Sequence, residues 1–250
     1  MTFEAGHPCW ADLSTPDIEA SKAFYGGLFG WEPQTSPESG GYTMFNLRDG
    51  HIAAAMPQQS PGFPTAWTTY ISVADADSTA KAVQDAGGQI LMGPLDITDQ
   101  GRIALFADAQ GAVLGLWQPL AFQGAALTRE PNTYCWSELA CRDVEGAKTF
   151  YSEVFGWSGE THVFGTSSYT EWDTGARPFA GMVEMNEVWP PEVPAHWMVY
   201  FAVEDCDAAA SKAADLGGLI SVPPHDIPSG RFAVLNDPQG AVFSIIRLAH

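Results

Sequence analysis

The fold is decided by the stretch CWADLSTPDIEASKAFYGGLFGW, residues 9–31, because the chain repeats it as CWSELACRDVEGAKTFYSEVFGW at residues 135–157. The cysteine, the FY pair and the FGW triplet of the two copies all lie 126 residues apart. A constant offset between this many matching positions predicts an internal duplication.

The duplication continues beyond the opening stretch. Further matches are PTAWTTYISVADAD (64–77) with PAHWMVYFAVEDCD (194–207), and LDITDQGRIALFADAQGAV (95–113) with HDIPSGRFAVLNDPQGAV (225–242). The two copies predict two homologous domains, residues 1–122 and 131–250. The polar, Gly- and Pro-bearing stretch FQGAALTREPN at 122–132 is the expected joint.

Within each copy the order strand–helix–strand–strand–strand occurs twice. PCWADLS alternates as a strand does, and apolar residues at helical spacing follow it, with Pro16 expected in the first helical turn. GGYTMFNL and HIAAAM are predicted strands. A strand, a helix ended by Gly87 and Gly88, and three more strands complete the copy. The pattern predicts an α+β protein built from four such modules.

Composition narrows the function classes. The net charge is −19 with only 11 Lys and Arg residues, which excludes a nucleic-acid binder and disfavours an anionic membrane surface. No secretory signal and no apolar run of membrane-spanning length is visible, so we expect a cytoplasmic protein, as a monomer or homodimer. The four cysteines form no CxxC pair and are expected to be reduced thiols.

Three motifs resemble one protein family. FYGGLFGW and FYSEVFGW follow the first helix of each copy, AGG and LGG follow the second, and DAQGAVLGL and DPQGAVFSI form the last hairpins. Together they resemble the vicinal oxygen chelate superfamily of glyoxalases, bleomycin-resistance proteins and extradiol dioxygenases, and the pattern is similar to two-domain glyoxalase-like proteins of actinobacteria. The resemblance implies tandem glyoxalase-like domains, each with two βαβββ modules that form half-barrel sheets around a cavity. It does not fix the reaction, because one fold hosts many functions.

The resemblance also implies where metal ligands would lie. Enzymes of this superfamily use His, Glu and Gln on the first and last strands of paired modules, and the metal binds two neighbouring substrate oxygens. The matching positions here are Trp10 and Trp136, Thr68 and Met198, and Gly115 and Ser244. We therefore expect no cofactor. The alternative is a divalent metal in a shifted site of Glu138, His196 and Glu184.

Aromatic and acidic side chains at these positions suggest a ligand site instead. Strand alternation puts Asp12 on the face of Trp10, and Glu138 on the face of Trp136. An aromatic wall suits a flat, hydrophobic, oxygenated ligand such as an aromatic natural product. The predicted wall residues are Trp10, Trp136, Tyr70, Tyr200 and Trp117. Glu138, Asp12 and His196 are the candidate catalytic groups, and their alternative role is to form hydrogen bonds in the cavity wall.

Two arginines complete the candidate set. Arg102 follows Asp96 and Arg231 follows Asp226 across a turn. Each pair either braces its loop as an ion pair or leaves the guanidinium to hold a ligand carboxylate or enolate oxygen.

Three functions remain open at this level. The first is a small-molecule-binding protein or metal-independent enzyme of antibiotic biosynthesis or resistance. The second is a metal-dependent lyase, isomerase or dioxygenase that acts on a vicinal-oxygen or carbonyl substrate. The third is a scaffold that keeps only the fold. The sequence leaves open whether the protein is an enzyme.

Overall fold

A computed structural model describes residues 2–58, 64–164, 167–175 and 177–249. The first copy contains eight strands and two helices in the described residues, in the order β1 (Pro8–Thr15), α1 (Ile18–Phe29), β2 (Glu32–Thr35), β3 (Thr43–Leu47), β4 (Gly50–Pro57), β5 (Ala66–Ser72), α2 (Ala76–Asp85), β6 (Gln89–Ile97), β7 (Gly101–Ala107) and β8 (Val113–Pro119).

The second copy repeats this order. Its elements are β9 (Tyr134–Cys141), α3 (Val144–Phe155), β10 (Ser158–Phe164), β11 (Ser167–Asp173), β12 (Ala180–Glu184), β13 (His196–Ala202), α4 (Cys206–Asp215), β14 (Leu219–Ile227), β15 (Gly230–Asn236) and β16 (Val242–Leu248). The α+β class and the fourfold βαβββ pattern are confirmed.

The first helix of each copy is bounded by its own sequence. The side chain of Asp17 accepts a hydrogen bond from the backbone N–H of Ala20, so Asp17 is the N-cap. Pro16 therefore precedes the helix, and its expected place in the first turn was wrong. The helix ends at Phe29 and is capped by Gly30, whose φ of 73° is the left-handed conformation that glycine adopts at low cost.

The strands form two eight-stranded mixed sheets. Their orders are β2-β3-β4-β1-β5-β8-β7-β6 and β10-β11-β12-β9-β13-β16-β15-β14. The register between β1 and β4 puts Asp12 opposite Ala54, and that between β9 and β12 puts Glu138 opposite Gly181. These two register pairs place the candidate acids against their neighbouring strands.

Two compact units divide the chain differently from the two copies. One unit contains residues 10–68, 125–135 and 199–250, and the other contains 1–9, 69–124 and 136–198. Each unit thus combines one module from each copy. The predicted domain boundaries, 1–122 and 131–250, follow the copies and stay a prediction.

Each unit has its own aromatic core against two helices. In the unit that holds α1 and α4, Tyr25 stacks on Trp31 at a centroid distance of 5.6 Å. In the unit that holds α2 and α3, Tyr151 stacks on Trp157 at 5.2 Å. Burial of side chains this large is a main source of folding free energy.

A buried polar network explains why the FY and DxQG motifs recur. The Tyr25 hydroxyl donates to Asp237 Oδ2 at 3.0 Å and accepts from Trp67 Nε1 at 2.9 Å. Burial raises the pKa of Tyr25 well above its usual value, and the Asp237 charge adds to this. The phenol therefore stays protonated and able to donate.

The other unit contains the same network with the copies exchanged. The Tyr151 hydroxyl donates to Asp108 Oδ2 at 2.7 Å and accepts from Trp197 Nε1 at 2.8 Å. In both units, the tyrosine within one copy's first helix meets the hairpin aspartate of the other copy. The motifs that resemble the superfamily therefore hold the two copies together within each unit.

Candidate functional site

The first candidate site lies on the face of β1 that points away from the helices. Ala11 and Leu13 belong to the helix-side core, so alternation turns Trp10 and Asp12 to the opposite face. Trp10 Nε1 donates to the Tyr42 hydroxyl at 3.0 Å, and that hydroxyl donates to Asp12 Oδ2 at 3.2 Å. We call these three residues the first triad.

The Tyr42 phenol is the central group of the first triad. Burial raises its pKa well above the usual value, and the nearby Asp12 charge raises it further. The phenol therefore stays protonated at neutral pH, as its donation to Asp12 requires. Both Trp10 and Asp12 are buried, with 5% and 4% of their surfaces exposed.

The second copy builds the same arrangement on β9, and we call it the second triad. Trp136 Nε1 donates to the Tyr169 hydroxyl at 3.0 Å, and strand pairing places Glu138 on the same face of the sheet. Burial, followed by the Glu138 charge, raises the pKa of Tyr169. Unlike the first triad, Trp136 and Glu138 are only half-buried.

The tyrosines are the part of the triads that sequence reasoning missed. Tyr42 comes immediately before β3 and Tyr169 lies on β11, and a threonine follows each of them. The paired GYT and SYT sequences were the available signal, because each places a tyrosine at or immediately before the strand next but one to the acid.

The other aromatic candidates lie on β5, β8 and β13 and have structural contacts of their own. Tyr70 pairs with Gly115, and its ring is so close that a Cβ added at Gly115 would lie 2.1 Å from Tyr70 Cδ1. Trp117 donates to the Phe122 carbonyl at 2.9 Å. Tyr200 is buried opposite Ser244. Ligand contact by Tyr70, Trp117 and Tyr200 stays a prediction.

The arginines form the expected ion pairs and a further one. Arg102 Nη1 lies 2.8 Å from Asp96, and its Nε lies 2.8 Å from Asp77, at the start of α2. Arg231 pairs in the same way, with Asp207 Oδ2 2.6 Å from its Nε and Asp226 Oδ1 3.3 Å from its Nη1. The helix aspartates were missed because they are distant in sequence. A ligand role for either arginine stays a prediction.

Comparison with known proteins identifies the family. The model of the Glyoxalase/Bleomycin resistance protein/Dioxygenase superfamily matches residues 7–116 and 134–245. The chain belongs to this superfamily. Of the described residues, no helix is long and apolar enough to cross a membrane.

Two named relatives from this superfamily match almost the whole chain. "Putative glyoxylase CFP32" of Mycobacterium tuberculosis is 42% identical over 255 residues, which covers 99% of this chain and 97% of that protein. "Anthracycline biosynthesis protein DnrV" of Streptomyces peucetius is 39% identical over 264 residues, covering 98% of this chain and 94% of that protein.

Solved structures of the superfamily agree in fold. The Mn(II)-bound glyoxalase from Novosphingobium aromaticivorans gives a TM-score of 0.69 at 16% identity, covering 97% of this chain and 82% of that chain. The 2,3-dioxygenase LapB from Pseudomonas sp. KL28 gives 0.67 at 14% identity, with coverage of 98% and 92%. At this identity the likeness concerns the fold alone.

The residues present do not fit the metal centre that the superfamily implies. Across residues 2–58, 64–164, 167–175 and 177–249, no three His, Cys, Asp or Glu side chains are grouped to hold a metal ion. The shifted site of Glu138, His196 and Glu184 stays a prediction, and the described geometry does not support it. Gly181 is the register partner of Glu138, and Glu184 lies three residues further along, so strand alternation puts it on the opposite face.

The side chains proposed for that shifted site have other partners. Glu184 Oε2 accepts a hydrogen bond from Ser168 at 2.9 Å. His196 Nδ1 lies 2.9 Å from the Pro194 carbonyl oxygen, and its ring is near Trp189. A catalytic role for His196 stays a prediction, and the two triads are the arrangement with the clearest chemistry.

Proposed function

We propose that this chain is a cytoplasmic protein of secondary metabolism that binds a flat, hydrophobic, oxygen-bearing aromatic molecule on the helix-free face of its sheets. The observation that carries the proposal is the Trp–Tyr–acid triad of each copy, on the strand where the resemblance implies a metal ligand. Each triad combines a rigid indole that donates to a tyrosine hydroxyl with a neighbouring carboxyl group.

The chemistry of the triad suits such a ligand. An indole offers a large flat surface for stacking. The hydrogen bond from its N–H group to the tyrosine hydroxyl fixes the orientation of that surface before the ligand binds. The adjacent carboxyl group can accept a hydrogen bond from a polar substituent. Preorganisation of this kind reduces the entropy lost on binding.

The relatives support the same class of ligand. Two Streptomyces relatives at 39% and 38% identity are named as anthracycline biosynthesis proteins. An anthracycline is a fused-ring aromatic compound with oxygen substituents, so a site for flat oxygenated rings agrees with those names.

Calorimetric titration with hydroxylated anthraquinones tests the proposal. We expect saturable binding by the wild-type protein, and a weaker affinity in a folded Trp10→Ala, Trp136→Ala double variant. Loss of a stacking contact should weaken binding by about 2- to 12-fold beyond the effect of lost area. Unchanged affinity in the double variant, or no binding by the wild type, would contradict the proposal.

A further inference from the structure

Two histidines of the second copy share one local arrangement. His196 begins β13 and His225 lies on β14, and each follows a proline by two residues. Nδ1 of His196 lies 2.9 Å from the carbonyl oxygen of Pro194. Nδ1 of His225 lies 3.0 Å from the carbonyl oxygen of Pro223. A carbonyl oxygen only accepts hydrogen bonds, so Nδ1 carries the proton in both rings and Nε2 of the neutral imidazole is the acceptor.

His196 lies on the helix-free face of its sheet. Trp197 belongs to the helix-side core and donates to Tyr151 in α3, so alternation turns its neighbour His196 to the opposite face. Strand β13 is the sheet neighbour of β9, which carries Trp136. His196 is half-buried, and among the described residues its Nε2 atom has no hydrogen-bond partner. This face, to which the proposed function assigns the ligand, thus carries an acceptor that the protein leaves unused.

A short loop places an indole ring next to this imidazole. The loop, residues 185–195, connects β12 to β13 and contains three prolines. The ring centroid of the half-buried Trp189 lies 6.2 Å from that of His196. The backbone N–H of Trp189 donates to the Asn186 carbonyl at 3.1 Å and closes the turn that carries the indole. Because each proline fixes one φ angle, the loop has less conformational entropy to lose when a ligand binds.

Arg142 holds this loop against the end of β9. Its Nη2 atom donates to the carbonyl oxygens of Pro190 and Val193 at 2.9 and 3.3 Å. Its Nη1 atom donates to the carbonyl oxygen of Met185 at 3.4 Å. Hydrogen bonds from a charged donor are stronger than those between neutral groups. The loop, and with it the indole, is therefore held in place before a ligand binds.

The other candidate positions for such an imidazole are less suited to a ligand. In the first copy the counterpart of His196 is Ala66, which has no polar side chain. His225 belongs to the other compact unit, is exposed, and has its ring 4.2 Å from that of Phe232. A hydrogen bond to an exposed group competes with water, whereas one to a half-buried group is stronger. The arrangement around His196 therefore has the clearest capacity to bind a ligand.

We propose that Trp189 and His196 form the rim of the ligand site in the second copy and select an aromatic hydroxyl group. The ligand ring stacks on the Trp189 indole, and its O–H donates to Nε2 of His196. An alkylated oxygen has no hydrogen to donate, so the same ring with a methyl ether leaves Nε2 without a partner. This inference rests on the proposed function and adds two residues and the substituent that they select.

Three probes with one ring system test the selection at pH 8, at which histidine side chains are commonly neutral. They are naphthalene, 2-methoxynaphthalene and 2-naphthol, titrated calorimetrically into the full chain. We expect 2-naphthol to bind more tightly than its methyl ether by about 2- to 12-fold, the effect of one hydrogen bond. Trp189→Ala should weaken the binding of all three probes by at least about twofold and leave that preference unchanged.

Replacements of the two histidines assign the acceptor. The amide group of His196→Asn lies near the position of Nδ1 and does not reach that of Nε2, so this variant should lose the preference for 2-naphthol. His225→Asn changes the same local arrangement at the other histidine and should leave the preference unchanged. His196→Phe keeps a ring beside Trp189 without an acceptor, and it serves as the second variant if His196→Asn does not fold.

The outcomes separate this inference from the proposed function. Equal affinity for 2-naphthol and its methyl ether would overturn the inference alone. A preference that survives in His196→Asn and His196→Phe, a preference that disappears in His225→Asn, or unchanged binding by Trp189→Ala would overturn it as well. If the probes fail to bind a wild-type protein that binds hydroxylated anthraquinones, only the inference is wrong. If the anthraquinones fail as well, both proposals are wrong.

Discussion

Replacing Tyr151 by phenylalanine should destabilise the protein strongly although it removes a single oxygen atom. That oxygen donates to Asp108 at 2.7 Å and accepts from Trp197 at 2.8 Å, and all three residues are buried. A hydrogen bond to a carboxylate contributes about 1.5–3 kcal/mol to the free energy of unfolding. The Trp197 N–H, left buried without its acceptor, costs a further amount of about 1–3 kcal/mol. The free energy of unfolding should therefore fall by roughly 3–5 kcal/mol.

Differential scanning calorimetry measures this loss as a lower melting temperature. For a chain of this size, 1 kcal/mol corresponds to about 2–4 °C, so Tyr151→Phe should melt roughly 6–20 °C below the wild type. The ring still stacks on Trp157, so the difference reports the hydroxyl. Tyr25→Phe, which breaks the equivalent network of the other unit, should have an effect of similar size.

A control on the same helix isolates the effect of burial. Thr149 is exposed, and its hydroxyl donates to the Glu145 carbonyl at 3.0 Å. Thr149→Ala should change the free energy of unfolding by less than about 0.5 kcal/mol. If Tyr151→Phe melted within 2 °C of Thr149→Ala, the reasoning about a buried donor and acceptor would be refuted.

Four further outcomes are expected. All four cysteines are buried, and burial raises the pKa of Cys135 to about 12. A disulfide reagent at pH 8 should therefore label no thiol until the chain unfolds. Rapid labelling of the native protein would contradict this prediction. Because the pKa of Tyr151 is raised in the folded protein, its stabilising effect should be complete below pH 10. Above pH 10 the phenol ionises only in the unfolded chain, so the free energy of unfolding should fall. A melting temperature that stays constant to pH 11 would count against this prediction. A chelator should leave the melting temperature unchanged, and protein purified without added metal should contain well under one equivalent of metal per chain. A stoichiometric metal would show that other residues bind it. Arg102→Ala should shift the melting temperature by less than about 2 °C, since its ion pairs are at the surface, and a larger shift would reveal a role in folding.

Much of the fold could be predicted from the sequence, because the duplication presents each sequence pattern twice. The helices follow from apolar spacing, and most strands from alternation. The module pattern requires strand β2, but its segment could not be located, because all four residues of Glu32–Thr35 are exposed and their sequence carries no apolar pattern. It forms only by pairing with β3, a tertiary effect that local sequence does not encode.

Only part of the candidate site could be predicted from the sequence. Alternation on β1 and β9 placed each tryptophan beside an acid, and both pairs are present in the triads. The tyrosines join from strands distant in sequence, so only the register of the sheet reveals them. The shifted metal site depends on the same register. The odd offset between Gly181 and Glu184 turns the glutamate to the other face, and that offset depends on a register that sequence alone left open.

The exchange of modules between copies has a consequence for how the gene can be divided. A break in the segment 122–132 would leave Tyr25 on one polypeptide and its partner Asp237 on the other, and would separate Tyr151 from Asp108 in the same way. Neither fragment would contain a complete core, so each would aggregate or be degraded alone, and the two would recover their cores only when synthesised together. The two copies therefore depend on each other for their cores and are covalently joined by one peptide segment. The fragments 1–122 and 131–250 are suitable halves for a complementation reporter.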